Sequence, residues 1–214
     1  MRKDEDFFML PTVDFCFHKL MQNAKVRKGF VAALLKVSPE SIQSTELLPT
    51  MMHGETPGDK LGILDVRIRL RDGTQMKKGD DYDVLKKCIH VSILDFVHFP
   101  DDDVCYRSIH LCDDKTGKVY SDKMEIQVLE LRKLPKDVKT GDDIITWMKF
   151  FSGKSRKEFE DMAKTNEYID EAYDTLRKLS ADDIERMQYE AREKAIRDYN
   201  SQMNSARRSG LREG

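Results

Sequence analysis

Asp65 stands in an alternating run, and two further carboxylates, Asp80 and Asp81, follow a turn that leads back toward it. In KLGILDVRIRLRDGTQMKKG, residues 60–79, Leu64, Val66, Ile68 and Leu70 fall on one face. Ile63, Asp65, Arg67 and Arg69 fall on the other. A period of two with β-branched residues predicts a long strand with one buried face. Asp72-Gly73 supplies the pair of positive-φ residues that a two-residue hairpin turn needs. Extending that register past Gly79 sets Asp80 across from Asp65. Convergent carboxylates suit a hard cation, which holds on only where several oxygens meet. Alone, Asp65 reads as an exposed strand carboxylate ion-paired with Arg67 or Arg69. The return strand is short. Hairpin partners usually match in length, yet Thr74 to Lys77 gives way at once to the loop-like Lys78-Gly79-Asp80-Asp81.

Other residues have chemical potential of their own. Glu125-Ile126-Gln127 puts a carboxylate and an amide two residues apart on one face of a strand, and is read as a solvent-facing pair. Cys88-x-His90 and His110-x-Cys112 each place two soft ligands on a strand face, so strands lying side by side would offer a tetrahedral zinc site. Strand-borne Cys and His are more often core or edge residues. Asp101-Asp102-Asp103 after Pro100 reads as a charged turn. The Lys and Arg positions show no aromatic-interleaved stripe of the kind that lines a nucleic-acid groove.

The elements that must position these residues alternate in type. Residues 7–35 carry apolar side chains at three- and four-residue steps (Phe15, Leu20, Met21, Val26, Phe30, Ala33, Leu34), which predicts helix. Ser38-Pro39-Glu40 breaks it, and Ile42 to Leu48 reads as a short strand. Met51 to Asp59 is loop by its Gly and Pro content. Asp81 to Lys87 has room for a helical turn or two. Three strand-like runs follow, Cys88–Phe96, Cys105–Cys112 and Met124–Leu131, the last two joined by a turn at Asp113–Gly117. From Asp142 the chain is helical, with Ile144, Ile145, Met148 and Phe151 as an apolar stripe. Residues 154–214 hold 13 basic and 14 acidic side chains, and a long helix is predicted from Ala181 to Ala206. Ser180 with Asp183 resembles a capping box. That helix reads as solvated with one packed face, the alternative being a dedicated DNA-contacting arm. No internal repeat is present.

Length and composition set the bounds. The 214 residues allow one ordinary domain plus an appendage. Charged residues make up 36% for a net charge of −2, so no uniform field draws the whole protein to nucleic acid or an anionic membrane. No apolar run has signal-peptide or membrane-spanning length. Four scattered cysteines suit a reducing cytoplasm. The expectation is a soluble cytoplasmic protein.

Five blocks, in order, carry a resemblance: DFCFHKL from Asp14, GILDVRIRLRDGTQ, KKGDDYDVLKKCIHVSILDF, DKMEIQVLELRKLPK and the tail YEAREKAIRDYNSQMNSAR. Together they resemble the PD-(D/E)XK nuclease family transposases, also called recombination-promoting nucleases. The resemblance implies a restriction-endonuclease-like α/β fold, a mixed sheet core flanked by helices over residues 1–136, and a helical C-terminal region over 137–214. It implies DNA as the partner and Mg²⁺-dependent DNA cleavage as the activity. An Asp on one strand and a Glu on the next hold the metal in such a site. A Gln or Lys two residues after the Glu orients the water. Asp65 matches the family Asp, with Asp80 and Asp81 as possible surrogate ligands. The Glu-x-Gln pair is expected just after Gln75-Met76, where Lys77 instead begins a later block. The chain thus lacks the rest of the second strand and the helix after it. Impaired catalysis is expected, with a non-catalytic DNA-binding or protein-interaction module as the alternative. A sheet missing a strand is also expected to be marginal or dependent on a homodimer.

Overall fold

The computed structural model describes residues 7–47, 66–70, 88–135 and 143–213. The helical stretch expected over 7–35 is two helices, α1 (Asp14–Gln22) and α2 (Ala24–Leu35). Asn23 parts them. Its side chain caps α2 by accepting from the N–H of Lys25 and Val26, and an Asn in extended backbone is a strong helix start. The helical periodicity does not register that break, because apolar spacing continues across it.

Most of α2 is buried. Val26, Phe30, Val31, Ala32, Ala33 and Leu34 are all buried, and so is Arg27, while Ala24 and Lys25 are exposed. A helix with so wide an apolar face packs against neighbours on several sides. On one side lie α1 and α3 (Asp143–Ser152), whose Trp147 and Phe151 meet Phe30 edge-on at centroid distances of 5.6 and 5.0 Å. On another lies α5 (Glu167–Ala181). At Gly29 a Cβ would stand 2.4 Å from the Tyr168 Cβ, so the approach of α5 requires a residue without a side chain. Between α3 and α5 runs α4 (Arg156–Ala163), which buries Phe159 completely.

The described strands form a two-stranded and a three-stranded sheet. The first pairs β1 (Ile42–Leu47) antiparallel with β2 (Val66–Leu70). Asp65, immediately before β2, lies outside the described residues, as do Asp80, Asp81 and the expected turn at Asp72-Gly73. The second sheet has the order β3-β5-β4, from β3 (Cys88–Leu94), β4 (Tyr106–Cys112) and β5 (Val119–Glu130). Here β3 runs parallel to β5 and β4 antiparallel to it. The sheet is mixed, with helices beside it, and the chain has the α/β, restriction-endonuclease-like character expected. At 12 residues, β5 starts earlier than the hydrophobic run at Met124 indicates. The Asp113–Gly117 turn forms as expected: Asp113 accepts from the N–H of Lys115 and Thr116, and Gly117 takes φ 65°.

The long C-terminal helix is α6 (Asp183–Glu213). Its cap is Asp182, which accepts from the N–H of Ile184 and Glu185. Ser180, expected to cap, instead accepts from the Met9 N–H at 2.9 Å. The first half of α6 docks on α1 through a bidentate Arg192–Asp14 pair and a Lys19–Glu185 bridge. One apolar cluster runs from Met9 through Leu129 and Trp147 to Tyr189, so residues on both sides of position 136 share it.

Two stability predictions follow from this packing. Gly29→Ala should cost about 1–3 kcal/mol in chemical denaturation, since it overpacks the α2–α5 contact; an unchanged midpoint would mean the helices separate freely. A two-stranded sheet is marginal in water. In hydrogen exchange, the amides of Val66–Leu70 should therefore exchange faster than those of Glu185–Ile196. Strong protection of β2 in a monomer would show the reverse.

Candidate functional site

Because β5 is the middle strand, its inward side chains face α2. Glu125 and Gln127, read from the sequence as solvent-facing, are 6% and 3% exposed. Alternation was right about the shared face and silent about which face is covered. Gln127 Nε2 donates to Glu125 Oε1 at 2.7 Å and to the Leu34 carbonyl of α2 at 3.3 Å. This fixes the amide orientation, because a flip would set its oxygen against two acceptors. Gln127 Oε1 is then buried with no hydrogen-bond partner among the described residues. His110, directly opposite Glu125 on β4, places Nε2 3.6 Å from Glu125 Oε2.

These groups line a cavity of about 190 Å³ between the end of α2 and the sheet, with Lys36, Tyr106 and Ser108 on its walls. Lys36 closes α2 in the left-handed conformation, φ 55°, and its ammonium lies 5.6 Å from the Tyr106 ring centroid. The arrangement can hold a small polar group. It does not fit Mg²⁺. A hard divalent ion needs several converging oxygens, while Glu125 is the one carboxylate here and one of its oxygens accepts from Gln127. No group of three or more metal-ligating side chains occurs among the described residues. The zinc alternative fails on topology: β3 and β4, which carry Cys88-x-His90 and His110-x-Cys112, flank β5 on opposite sides.

A second polar cluster was missed by sequence reasoning. Glu130 is fully buried at the end of β5 and accepts from the N–H of His98 and Phe99. Lys133 Nζ lies 3.0 Å from Glu130 Oε2 and 3.2 Å from Asp102. Arg107 bridges Asp102 at 2.6 Å and lies over the Phe99 ring at 4.1 Å. The turn at Asp101–Asp103 is therefore tied down through its middle residue. Burial would raise the Glu130 carboxyl, but the two backbone N–H groups and Lys133 outweigh it and hold the carboxyl below its ordinary value. Asp102 is held down to about 2, chiefly by Arg107, then by the Val104 N–H and Lys133. A Glu three residues before a Lys was the only signal available. This cluster fastens the β3–β4 connection.

Its titration is testable. Both carboxyls have folded pKa values below their unfolded values of 3.8 and 4.5. Their contribution to stability is thus complete above those values and is lost as pH falls, for Asp102 through about 2. Melting temperature should drop between pH 5 and pH 2, and Asp102→Asn should flatten that drop while lowering stability at pH 7. An unchanged acid profile in the variant would remove Asp102 from the account.

No helix among the described residues is long and apolar enough to cross a membrane. No curated protein and no solved structure matches the chain. A family model does, the PD-(D/E)XK nuclease family transposase, over residues 11–76 and again over 73–206. Together the two segments take in most of the sequence and overlap at residues 73–76. With that coverage, and with a mixed sheet flanked by helices, the chain belongs to the PD-(D/E)XK nuclease family transposases.

Proposed function

We propose that this chain is a DNA-acting family member, of a lineage that cleaves DNA to promote recombination, in which cleavage itself is impaired. The observation that carries the reading is the break in the family match at residues 73–76. It falls where the sequence passes from Met76 straight to Lys77 and where a Glu-x-Gln strand is expected. Two features of the fold support it. Among the described residues, β2 pairs with β1 and β3 pairs with β5, with no ladder joining the two sheets; a strand lost between β2 and β3 would leave such a division. The outer face of the β4–β5 pair also leaves Ile109, Leu111, Met124 and Ile126 exposed, as removal of a covering helix would.

The remaining Glu-x-Gln sequence does not replace the lost one. Glu125 and Gln127 are bonded to each other and to the end of α2, turned into the body of the protein. Asp65 is the one family carboxylate carried over, with Asp80 and Asp81 as candidate surrogates after the turn. One or two oxygens do not hold Mg²⁺ against its waters. In this reading the protein acts in the cytoplasm as a non-catalytic module, with residues 137–214 as its helical C-terminal region.

Supercoiled plasmid incubated with the purified chain and Mg²⁺ or Mn²⁺ should remain supercoiled. Nicking that disappears in Asp65→Ala would overturn the proposal and turn attention to Asp80, Asp81 and Glu125. Inserting a family-like Glu-x-Gln strand and helix between Met76 and Lys77 should bring cleavage back, and Asp65→Ala in that background should abolish it again.

A further inference from the structure

The charge balance of the C-terminal third hides a division that only the helix boundaries expose. Over 31 residues, α6 extends about 46 Å at 1.5 Å per residue. Its first half is packed: Tyr189 is 3% exposed and its hydroxyl accepts from the Leu10 N–H, Arg192 holds Asp14, and Ile196 rests on the apolar cluster. Beyond Tyr199 the helix leaves the body, and every residue from Asn200 to Ser209 is exposed. Composition changes at the same point. Residues 183–198 hold five acidic and four basic side chains; residues 199–212 hold no acidic side chain and three arginines.

We infer that the projecting half of α6 is a DNA-backbone contact arm, recognising phosphates without regard to base sequence. At 3.6 residues per turn, Arg197, Asn200, Asn204, Arg207 and Arg208 share roughly a third of the helix circumference. Those five residues bring guanidinium and amide N–H donors, the groups that bond phosphate oxygens, and Leu211 is the sequence's one apolar residue in the same sector beyond Tyr199. Glu193 bridges Arg197 at 3.3 Å, on the side toward the body; Arg207 and Arg208 have no acidic side chain within one turn on either side in the described helix. A protein partner suits this half less well, since Met203 is its one large exposed apolar side chain among the described residues and a helix-in-groove contact wants a stripe of them. The composition also implies an external stabiliser. Asn200, Ser201, Asn204, Ser205, Ser209 and Gly210 are poor helix formers, and so short a helix with no packed face is marginal in water. The inference rests on the reading of the chain as DNA-acting but not on its loss of cleavage.

The test is fluorescence anisotropy with the full chain and a random-sequence 30-base-pair duplex in EDTA, titrated at several salt concentrations. The wild type should bind, with affinity falling steeply as salt rises. Arg207→Ala with Arg208→Ala should weaken binding at least tenfold at 0.1 M salt and reduce the slope of log K against log salt by about 1.8, two phosphate contacts at about 0.9 each. Arg207→Lys with Arg208→Lys should keep most of the binding. Alanine favours helix more than arginine does, so circular dichroism should show no loss of helix in the alanine variant. Absence of binding by the wild type at 0.05 M salt, or equal binding by the alanine variant, would overturn the inference. Because EDTA removes metal, neither result bears on cleavage.

Discussion

Everything in this molecule is arranged around a helix with only a narrow solvent edge, at Ala24, Lys25 and Lys28. With the rest of α2 buried, each neighbour must fit it and each buried polar group on it must be answered internally. Gly29 admits α5, Phe30 meets Trp147 and Phe151, and the Leu34 carbonyl receives Gln127 from the sheet. Arg27 is the demanding case. Burial pushes its pKa down, yet its guanidinium donates to the Met21 carbonyl at 2.6 Å and to the Thr45 carbonyl at 3.0 Å. It therefore satisfies the open end of α1 and pins β1 in one gesture. Removing one partner from such a site leaves a charge stranded, which costs far more than an exposed bridge would.

That arrangement separates what holds the protein together from what a nuclease of this family needs for chemistry. The large apolar cluster is built mainly from helices α1 to α6, with Ile93 of β3 and Leu129 of β5 as the sheet's inward contribution. β1 reaches it at Leu47, and Arg27 ties β1 to the end of α1. The helical packing therefore rests on residues well away from the junction between β2 and β3. The exposed outer face of β4 and β5 is the other side of the same division.

How much of this could be read from residues alone depends on the signal each one gives. Periodicity located α3, α6 and the strands β1 to β5, because an amphipathic face writes itself into spacing. It missed the break at Asn23, whose capping bonds depend on backbone conformation rather than on hydrophobic rhythm. It placed the cap of α6 at Ser180, whose hydroxyl was claimed by a backbone N–H 171 residues away. Glu125 and Gln127 were seen as a pair but assigned to the wrong side, since alternation identifies a face and only tertiary packing says what covers it. The Glu130–Lys133–Asp102–Arg107 cluster was illegible, being assembled from three segments with weak individual marks. Family membership was legible because five ordered blocks outweigh any one motif, whereas Asp65, Asp80 and Asp81 lie outside the described residues.

The contacts between residues 9–14 and residues 180–192 carry a consequence for how the chain is made. Met9 bonds Ser180, Leu10 bonds Tyr189 and Asp14 clasps Arg192, across separations of 171, 179 and 178 residues. On the ribosome, the amino-terminal segment emerges long before its partners exist, at a synthesis rate of about 5–20 residues per second. For roughly ten seconds or more the apolar side of α1 waits uncovered. Such a chain closes like a clasp once residues 180–192 have been made, and its window of exposure to chaperones and proteases is set by the speed of synthesis rather than by the speed of folding.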